Sequence, residues 1–452
     1  MKTTTEQLYP LFLQHPVIST DTRKITPGSL FFALKGDKFD ANTFAQKAVE
    51  AGVAYAIIDN PEYAIGEQFL LVDDVLTALQ DLARRHRRQL NIPVIGLTGT
   101  NGKTTTKELI NAVLSQRFKT LATQGNLNNH IGVPLTILTI DASHDIAVIE
   151  MGANHQKEIE MLCSIAQPTH GLITNVGKAH LEGFGGIEGV KKGKGELYDY
   201  LLQSGSPEDG ESESKVAFVN SDDATLLEMQ KARDLKNVVY YGKNANPDNL
   251  VSGKLLDNST FLALKWNDRK SSSYNVKSQL TGSYNLDNIL AAICIGCFFG
   301  LDYDEINQGI EGYQPKNNRS QIMQTTTNTL ICDFYNANPS SMFVAIDNMD
   351  KVQAAHKVMI LGDMFEMGLE SAIEHTSVIQ KAMNAHVDER IFIGKDFSSQ
   401  QSEVQNTNLI NTTFYLTAED AIIGLKTNPI TNATILIKGS RGMALERLVE
   451  LF

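Results

Sequence analysis

The chain of 452 residues has room for roughly three domains of ~150 residues each, and its 42% apolar and 20% charged side chains describe an ordinary globular protein. A formal net charge of −12 excludes the basic footprint of a nucleic-acid binder. Residues 1–7 lack the apolar core of a signal peptide and no run approaches the ~18 apolar residues of a membrane span, so the sequence places the protein in the cytoplasm. Residues 1 to about 88 read as a first unit, with a short buried strand at 29–34, a polar turn at 35–40, a helix at 44–51, a strand at 55–58 and a helix at 75–88. That last helix ends in Arg84-Arg85-His86-Arg87-Arg88, whose charges suit the negative end of the helix dipole and read as a solvated end.

Residues 89–314 alternate strands and helices in the parallel α/β manner. The stretch 94–106 passes from an apolar run through Thr98-Gly-Thr-Asn-Gly-Lys-Thr104 into a helix-competent segment. Gly99 and Gly102 let successive N–H groups, including those of Thr100 and Asn101, face one anion. Lys103 adds positive charge, and Thr104 or Thr105 offers a hydroxyl to magnesium. The spacing departs from the common phosphate-loop form, because Leu97 stands where the first glycine would fall. After the amide-rich segment 121–130, the strand at 145–151 carries Glu150 at its far end, where a carboxylate can hold magnesium. A third strand, 170–176, leads to Asn175 and His180. Read without further context, Lys191, Lys192 and Lys194 form a solvated helix face. The acidic stretch 204–214, with four acids and no apolar side chain, reads as a mobile surface insertion. Segments 262–266 and 272–278 read as antiparallel strands on the sheet's edge. Asn285 and Asn288 lie one turn apart at a helix entrance, as caps or as readers of a base edge. Cys294 and Cys297 form C-x-x-C inside the apolar run 290–299, a buried helix rather than a zinc or redox site.

Residues 315–452 form a third unit with strands at 329–332, 357–361, 390–393, 413–416 and 434–437, a doubly wound α/β domain without a phosphate loop. Its ligands should gather at 333–339, 362–368 and 438–442. The fold class is therefore α/β in three domains: an N-terminal substrate domain, a central P-loop ATPase-like domain with a parallel sheet, and a C-terminal Rossmann-like domain.

Several stretches together resemble the Mur ligases, ATP-dependent amide-bond formers of cell-wall synthesis. These are Thr98-Gly-Thr-Asn-Gly-Lys-Thr104, Ile149-Glu-Met-Gly-Ala-Asn154 and Asn175-Val-Gly-Lys-Ala-His-Leu-Glu182. Asp333-Phe-Tyr-Asn-Ala-Asn-Pro-Ser-Ser-Met342, Leu361-Gly-Asp-Met-Phe-Glu-Met-Gly368 and Lys438-Gly-Ser-Arg441 resemble the D-alanyl-D-alanine-adding members, as do Ser19-Thr-Asp-Thr-Arg-Lys24 and Leu34-Lys-Gly-Asp-Lys-Phe-Asp40. Two departures stand out: Cys332-Asp333-Phe334 holds one acid where relatives hold two, and Ala41-Asn42 replaces a Gly-His pair.

The resemblance implies a bacterial cytoplasmic enzyme, a monomer, joining UDP-N-acetylmuramoyl-tripeptide to D-alanyl-D-alanine with ATP, through an acyl phosphate. It implies two magnesium ions, one on Thr104 or Thr105 and Glu150, the other on Glu150, His180 and a carbamylated Lys194. Asn285 and Asn288 go to adenine, Asp333 to the ribose and Arg319 to the γ-phosphate. Asn336 and Asn338, with Ser440 and Arg441, face the dipeptide. Thr20, Arg23, Gln124, Asn126, Asn128 and Asn129 go to the uridine nucleotide sugar, which makes 1–88 the uridine-nucleotide domain. Because ATP contacts come from two units, closure should assemble the site. The competing readings are another ligase of this architecture, such as a diaminopimelate- or lysine-adding Mur enzyme or folylpolyglutamate synthase, a nucleotide-driven regulator or transport ATPase, and a purely structural or binding role.

Overall fold

The computed structural model describes residues 2–203, 214–244, 246–258, 261–270, 272–316, 318–402 and 411–452. The expected acidic insertion therefore lies, but for Ser214, outside the described residues. Three parallel-dominated sheets follow one another along the chain. The N-terminal one joins Ile18–Ser19, Leu30–Phe32, Tyr55–Ile58 and Phe69–Leu71, all parallel. The central one has nine strands in the order Ser273–Lys277, Ala263–Asp268, Asn249–Asp257, Val238–Gly242, Val216–Asn220, His170–Ile173, Val94–Thr98, Ile146–Glu150 and Thr120–Ala122. Among its described strands only Ala263–Asp268 is reversed, pairing antiparallel with both neighbours at the 273–277 edge, where the alternating polar pattern predicts antiparallel pairing. The C-terminal sheet pairs Gln321–Gln324 antiparallel to Thr329–Asp333, then continues in parallel through Thr434–Lys438, Lys357–Gly362, Glu389–Ile393 and Thr412–Tyr415.

Central strands such as Val94–Thr98, Ile146–Glu150 and Val216–Asn220 are buried along their whole length, which explains their unbroken runs of β-branched and apolar residues. Helices Lys103–Leu114, Asn285–Phe298 and Tyr303–Gly312 cover one face. The other face shares a core with the N-terminal unit, where Leu8, Phe12, Leu79 and Leu82 join Ile149, Met151, Ile159 and Leu162. Cys294 is buried and Cys297 partly so in Asn285–Phe298; both are free thiols whose pKa burial pushes up. Among the described residues no helix is long and apolar enough to cross a membrane.

Two expectations need correction. The basic run closing helix Val75–Arg87 is not a solvated end. His86 is 7% and Arg87 3% exposed. Arg87 donates to the carbonyls of Ala166 (3.0 Å), Leu90 (2.8 Å) and Gln167 (3.0 Å), while His86 Nε2 lies 2.7 Å from the Ile140 carbonyl. The run docks the N-terminal unit on the central one by satisfying carbonyls that end helix Glu158–Ala166. Truncating Arg87 to Met strands these buried acceptors, so urea unfolding should show a loss of about 2–4 kcal/mol; an unchanged midpoint contradicts this docking role. The second correction concerns helix Ile187–Leu202. Lys192 is exposed and Lys191 pairs with Glu228 at 2.9 Å, but Lys194 is 2% exposed.

Strand His170–Ile173 starts inside an aromatic cluster, with His170 ring-to-ring distances of 5.1 Å to Phe299 and 5.3 Å to Phe298. Burial lowers its pKa from 6.5 to about 4. The unfolded imidazole therefore binds a proton that the folded one refuses, and stability falls as pH drops from 6.5 toward 4. Between pH 7 and pH 5 this amounts to about 2 kcal/mol. Urea titrations of His170→Leu should lack that share of the acid sensitivity; equal acid sensitivity in both proteins contradicts the assignment.

Candidate active site

Strands His170–Ile173, Val94–Thr98 and Ile146–Glu150 are adjacent and parallel, with Thr98 beside Ile173 and Leu97 beside Glu150. Their carboxyl ends thus bring Thr174 and Asn175, the loop 99–102 and the Glu150 carboxylate to one edge of the sheet. The loop's glycines are obligatory. Gly99 (φ +145°) would place a Cβ 2.0 Å from Thr174 Oγ1, and Gly102 (φ +78°) one 2.7 Å from Asn288 Oδ1. Asn175 clamps the loop: its carbonyl accepts from Thr100 N (2.9 Å), its Oδ1 from Asn101 N (3.0 Å), and its Nδ2 donates to the Asn101 carbonyl (3.0 Å). Helix Lys103–Leu114 then presents its N-terminus to the cleft.

Lys103 Nζ donates to the Gly99 and Thr100 carbonyls at 2.8 and 3.0 Å. Burial lowers its pKa to about 8, opposed by Glu150 and reinforced by Arg319. Glu150 Oε1 accepts from Thr104 Oγ1 (3.2 Å) and Asn128 Nδ2 (2.8 Å), whereas buried Oε2 has no partner among the described residues. Among the described residues no three His, Cys, Asp or Glu side chains converge as a metal cage. One orphaned carboxylate oxygen beside a threonine hydroxyl and a phosphate loop nevertheless suits magnesium, which keeps waters and takes ligands from phosphates.

A cleft of about 940 Å³ opens from this edge, and the C-terminal unit forms its opposite wall. Thr105, Asn126, Asn129, Asn285, Arg319, Asp333 and Asn336 line it together with the phosphate loop. Asn285 and Asn288 hydrogen-bond each other (2.8 Å), and Asn288 Oδ1 also accepts from Thr106 (3.0 Å), so they brace the loop as well as facing the cleft. Asp333 accepts from Lys438 Nζ (2.7 Å) and Ser320 N (3.2 Å). Asn338 caps helix Pro339–Lys351 and donates to Asn101 Oδ1 at 2.9 Å, tying the C-terminal unit to the phosphate loop. Lys178–Glu374 (2.6 Å) and the His180–Glu366 contact add further ties between these units. Burial pushes the His180 pKa down against the pull of Glu366.

Lys194 lies one layer behind the cleft, donating to the Ala153 carbonyl at 3.1 Å, with its Nζ 5.0 Å from the centre of the Phe184 ring. Burial, and then the Lys103 charge, hold its amine well below the usual lysine range. Thr20, Arg23, Gln124, Ser440 and Arg441 are outside the cleft lining. Arg23 forks onto Asp21, Gln124 donates to the Ala122 carbonyl, and Ser440 Oγ accepts from Phe365 N. Asn129 Oδ1 caps Ile131 and Gly132. Asn42, one of the two departures read from the sequence, is fully buried and binds Asp40 and Asp59.

Family models described as the Mur ligase family catalytic domain, the Mur ligase middle domain and the Mur ligase glutamate ligase domain match residues 16–87, 97–296 and 318–441. The UDP-N-acetylmuramoyl-tripeptide--D-alanyl-D-alanine ligase of Escherichia coli (strain K12) is 36% identical over 443 residues, covering 96% of this chain and 92% of its own length. The chain belongs to the Mur ligase family. Among solved Mur ligases, MurF from Acinetobacter baumannii superposes with a TM-score of 0.85 at 31% identity, covering 100% of this chain and 98% of its own. MurF from Thermotoga maritima, in complex with ADP, has the same fold at a TM-score of 0.83, with 24% identity and 98% and 97% of the two chains covered.

Proposed function

We propose that this Mur ligase adds D-alanyl-D-alanine to UDP-N-acetylmuramoyl-tripeptide, splitting ATP to ADP and phosphate, in peptidoglycan precursor synthesis. The carrying observation is the end-to-end similarity to the Escherichia coli ligase of that name, 36% identical across 96% of the chain. The cleft chemistry supports it. A carboxylate repels nucleophiles, so it takes the γ-phosphoryl group first, becoming an acyl phosphate that the dipeptide amine attacks with loss of phosphate. Both steps gather negative charge, which the phosphate-loop amides, Lys103 and Arg319 are placed to offset.

Under this reading the central unit, 89–314, binds ATP, 315–452 delivers the acceptor and nucleotide contacts, and 1–88 holds the uridine nucleotide in the bacterial cytoplasm. Gly99 to Thr105 wrap the phosphates. Asn285 and Asn288 take adenine, Asp333 the ribose, and Asn336 and Asn338 the dipeptide. Magnesium would sit on Thr104 and the free Oε2 of Glu150, where it neutralises triphosphate charge when bound. A second ion needs another carboxylate near His180. Lys194 supplies it if its amine adds carbon dioxide, and an amine that is buried, has no ion pair among the described residues and is held weakly basic is suited to that addition. Purified protein given ATP, D-alanyl-D-alanine and either the lysine or the diaminopimelate tripeptide nucleotide should release ADP only when all three are present. Equal ADP release without the dipeptide would overturn the ligase reading in favour of a plain ATPase.

A further inference from the structure

Arg319 is aimed into the cleft by its backbone and steadied by a ring. Its neighbours Asn318 (φ +56°) and Ser320 (φ +50°) both adopt the left-handed conformation, uncommon for residues other than glycine. Ser320 is pinned through its N–H to Asp333 Oδ1 at 3.2 Å and through its hydroxyl to Tyr284. The Arg319 Nε is buried with no hydrogen-bond partner among the described residues, and its guanidinium lies 3.7 Å from the centre of the Tyr335 ring. Arg441 shares that ring at 5.2 Å and reaches its hydroxyl at 3.4 Å.

A carboxylate would steady a guanidinium equally well, but it would also neutralise the charge that a phosphate needs. An aromatic face attracts the cation and leaves its N–H donors free. We infer that Tyr335 is a positioning residue, whose ring presents Arg319 to the terminal phosphate and thereby sets the preference for triphosphate over diphosphate. This rests on the nucleotide reading above. Tyr335 is only partly buried, so its replacement need not disturb the core.

The test is calorimetric binding of a non-hydrolysable ATP analogue and of ADP to the wild-type chain and to Tyr335→Phe, Tyr335→Leu and Tyr335→Gln, with a melting temperature for each. Leu and Gln should weaken the analogue about 10-fold, in the range of a partly desolvated cation–π contact, and ADP less than about 2-fold. Phe should keep the preference. Equal weakening of both nucleotides, or a Phe variant as impaired as Leu, would overturn the inference. A wild-type chain that binds neither nucleotide would overturn the nucleotide reading itself and this inference with it.

Discussion

Lys103→Met should lower kcat/KM for ATP by about 100- to 1,000-fold, the usual effect of removing one preorganised charge from a site where charge develops. The amine is locked between the Gly99 and Thr100 carbonyls, at the one point where the phosphate-loop amides and the first turn of helix Lys103–Leu114 converge. Burial lowers its pKa to about 8, because desolvation disfavours the charged amine. Removing it therefore should not lower the melting temperature by more than a few degrees. ADP release and a thermal melt on the same preparation separate the two effects. Activity within a few-fold of wild type would mean that the loop does not cradle a triphosphate.

Lys194→Ala should cost about 100-fold or more in kcat, since it removes what we propose to be a carboxylate-bearing ligand rather than a surface charge. The buried Nζ donates to the Ala153 carbonyl and lies against the Phe184 ring. A small carboxylic acid such as acetate, added to the variant, should restore part of the activity by occupying the space of the carbamate. Intact mass measured gently in bicarbonate should show one added carbon dioxide in the wild-type chain and none in the variant. Full activity of Lys194→Ala, or a structure with a bare amine in the active complex, contradicts the modification.

The parts of this molecule that sequence makes legible are those set by local chemistry. The phosphate loop can be read because Gly99, Gly102 and Lys103 must fall within a few residues of a strand end, and Glu150 because an unbroken apolar run stops at an acid. The five parallel strands of the C-terminal unit can be read for the same reason. The strand Gln321–Gln324 has no such signal, being short and partly polar. Helix Thr5–Gln14, with Pro10 inside it, is absent from the elements read off the sequence; its Leu8 and Phe12 pack into the shared core.

What sequence misreads is set by distant partners. The helix-dipole rule assigns Arg84–Arg88 to solvent, yet Arg87 is claimed by carbonyls about 80 residues away. Charge patterning assigns Lys194 to a wet face, yet the loop at Ala153 covers it. Asn128, which lines the cleft, also reaches Glu150, and Asn338 meets Asn101 across 237 positions, contacts that no local pattern announces. The stack of Arg319 on Tyr335 and the clamp made by Asn175 likewise join residues 16 and 74 positions apart.

The claim beneath all of this is that the bound carboxylate is phosphorylated before the amine arrives. It is tested most directly with tripeptide nucleotide carrying oxygen-18 in both oxygens of the carboxylate that is joined to the dipeptide, incubated with ATP, D-alanyl-D-alanine and the wild-type chain. The acyl phosphate route predicts that each inorganic phosphate released carries one labelled oxygen and each new amide keeps the other. Phosphate free of label, alongside normal pentapeptide formation, would contradict it.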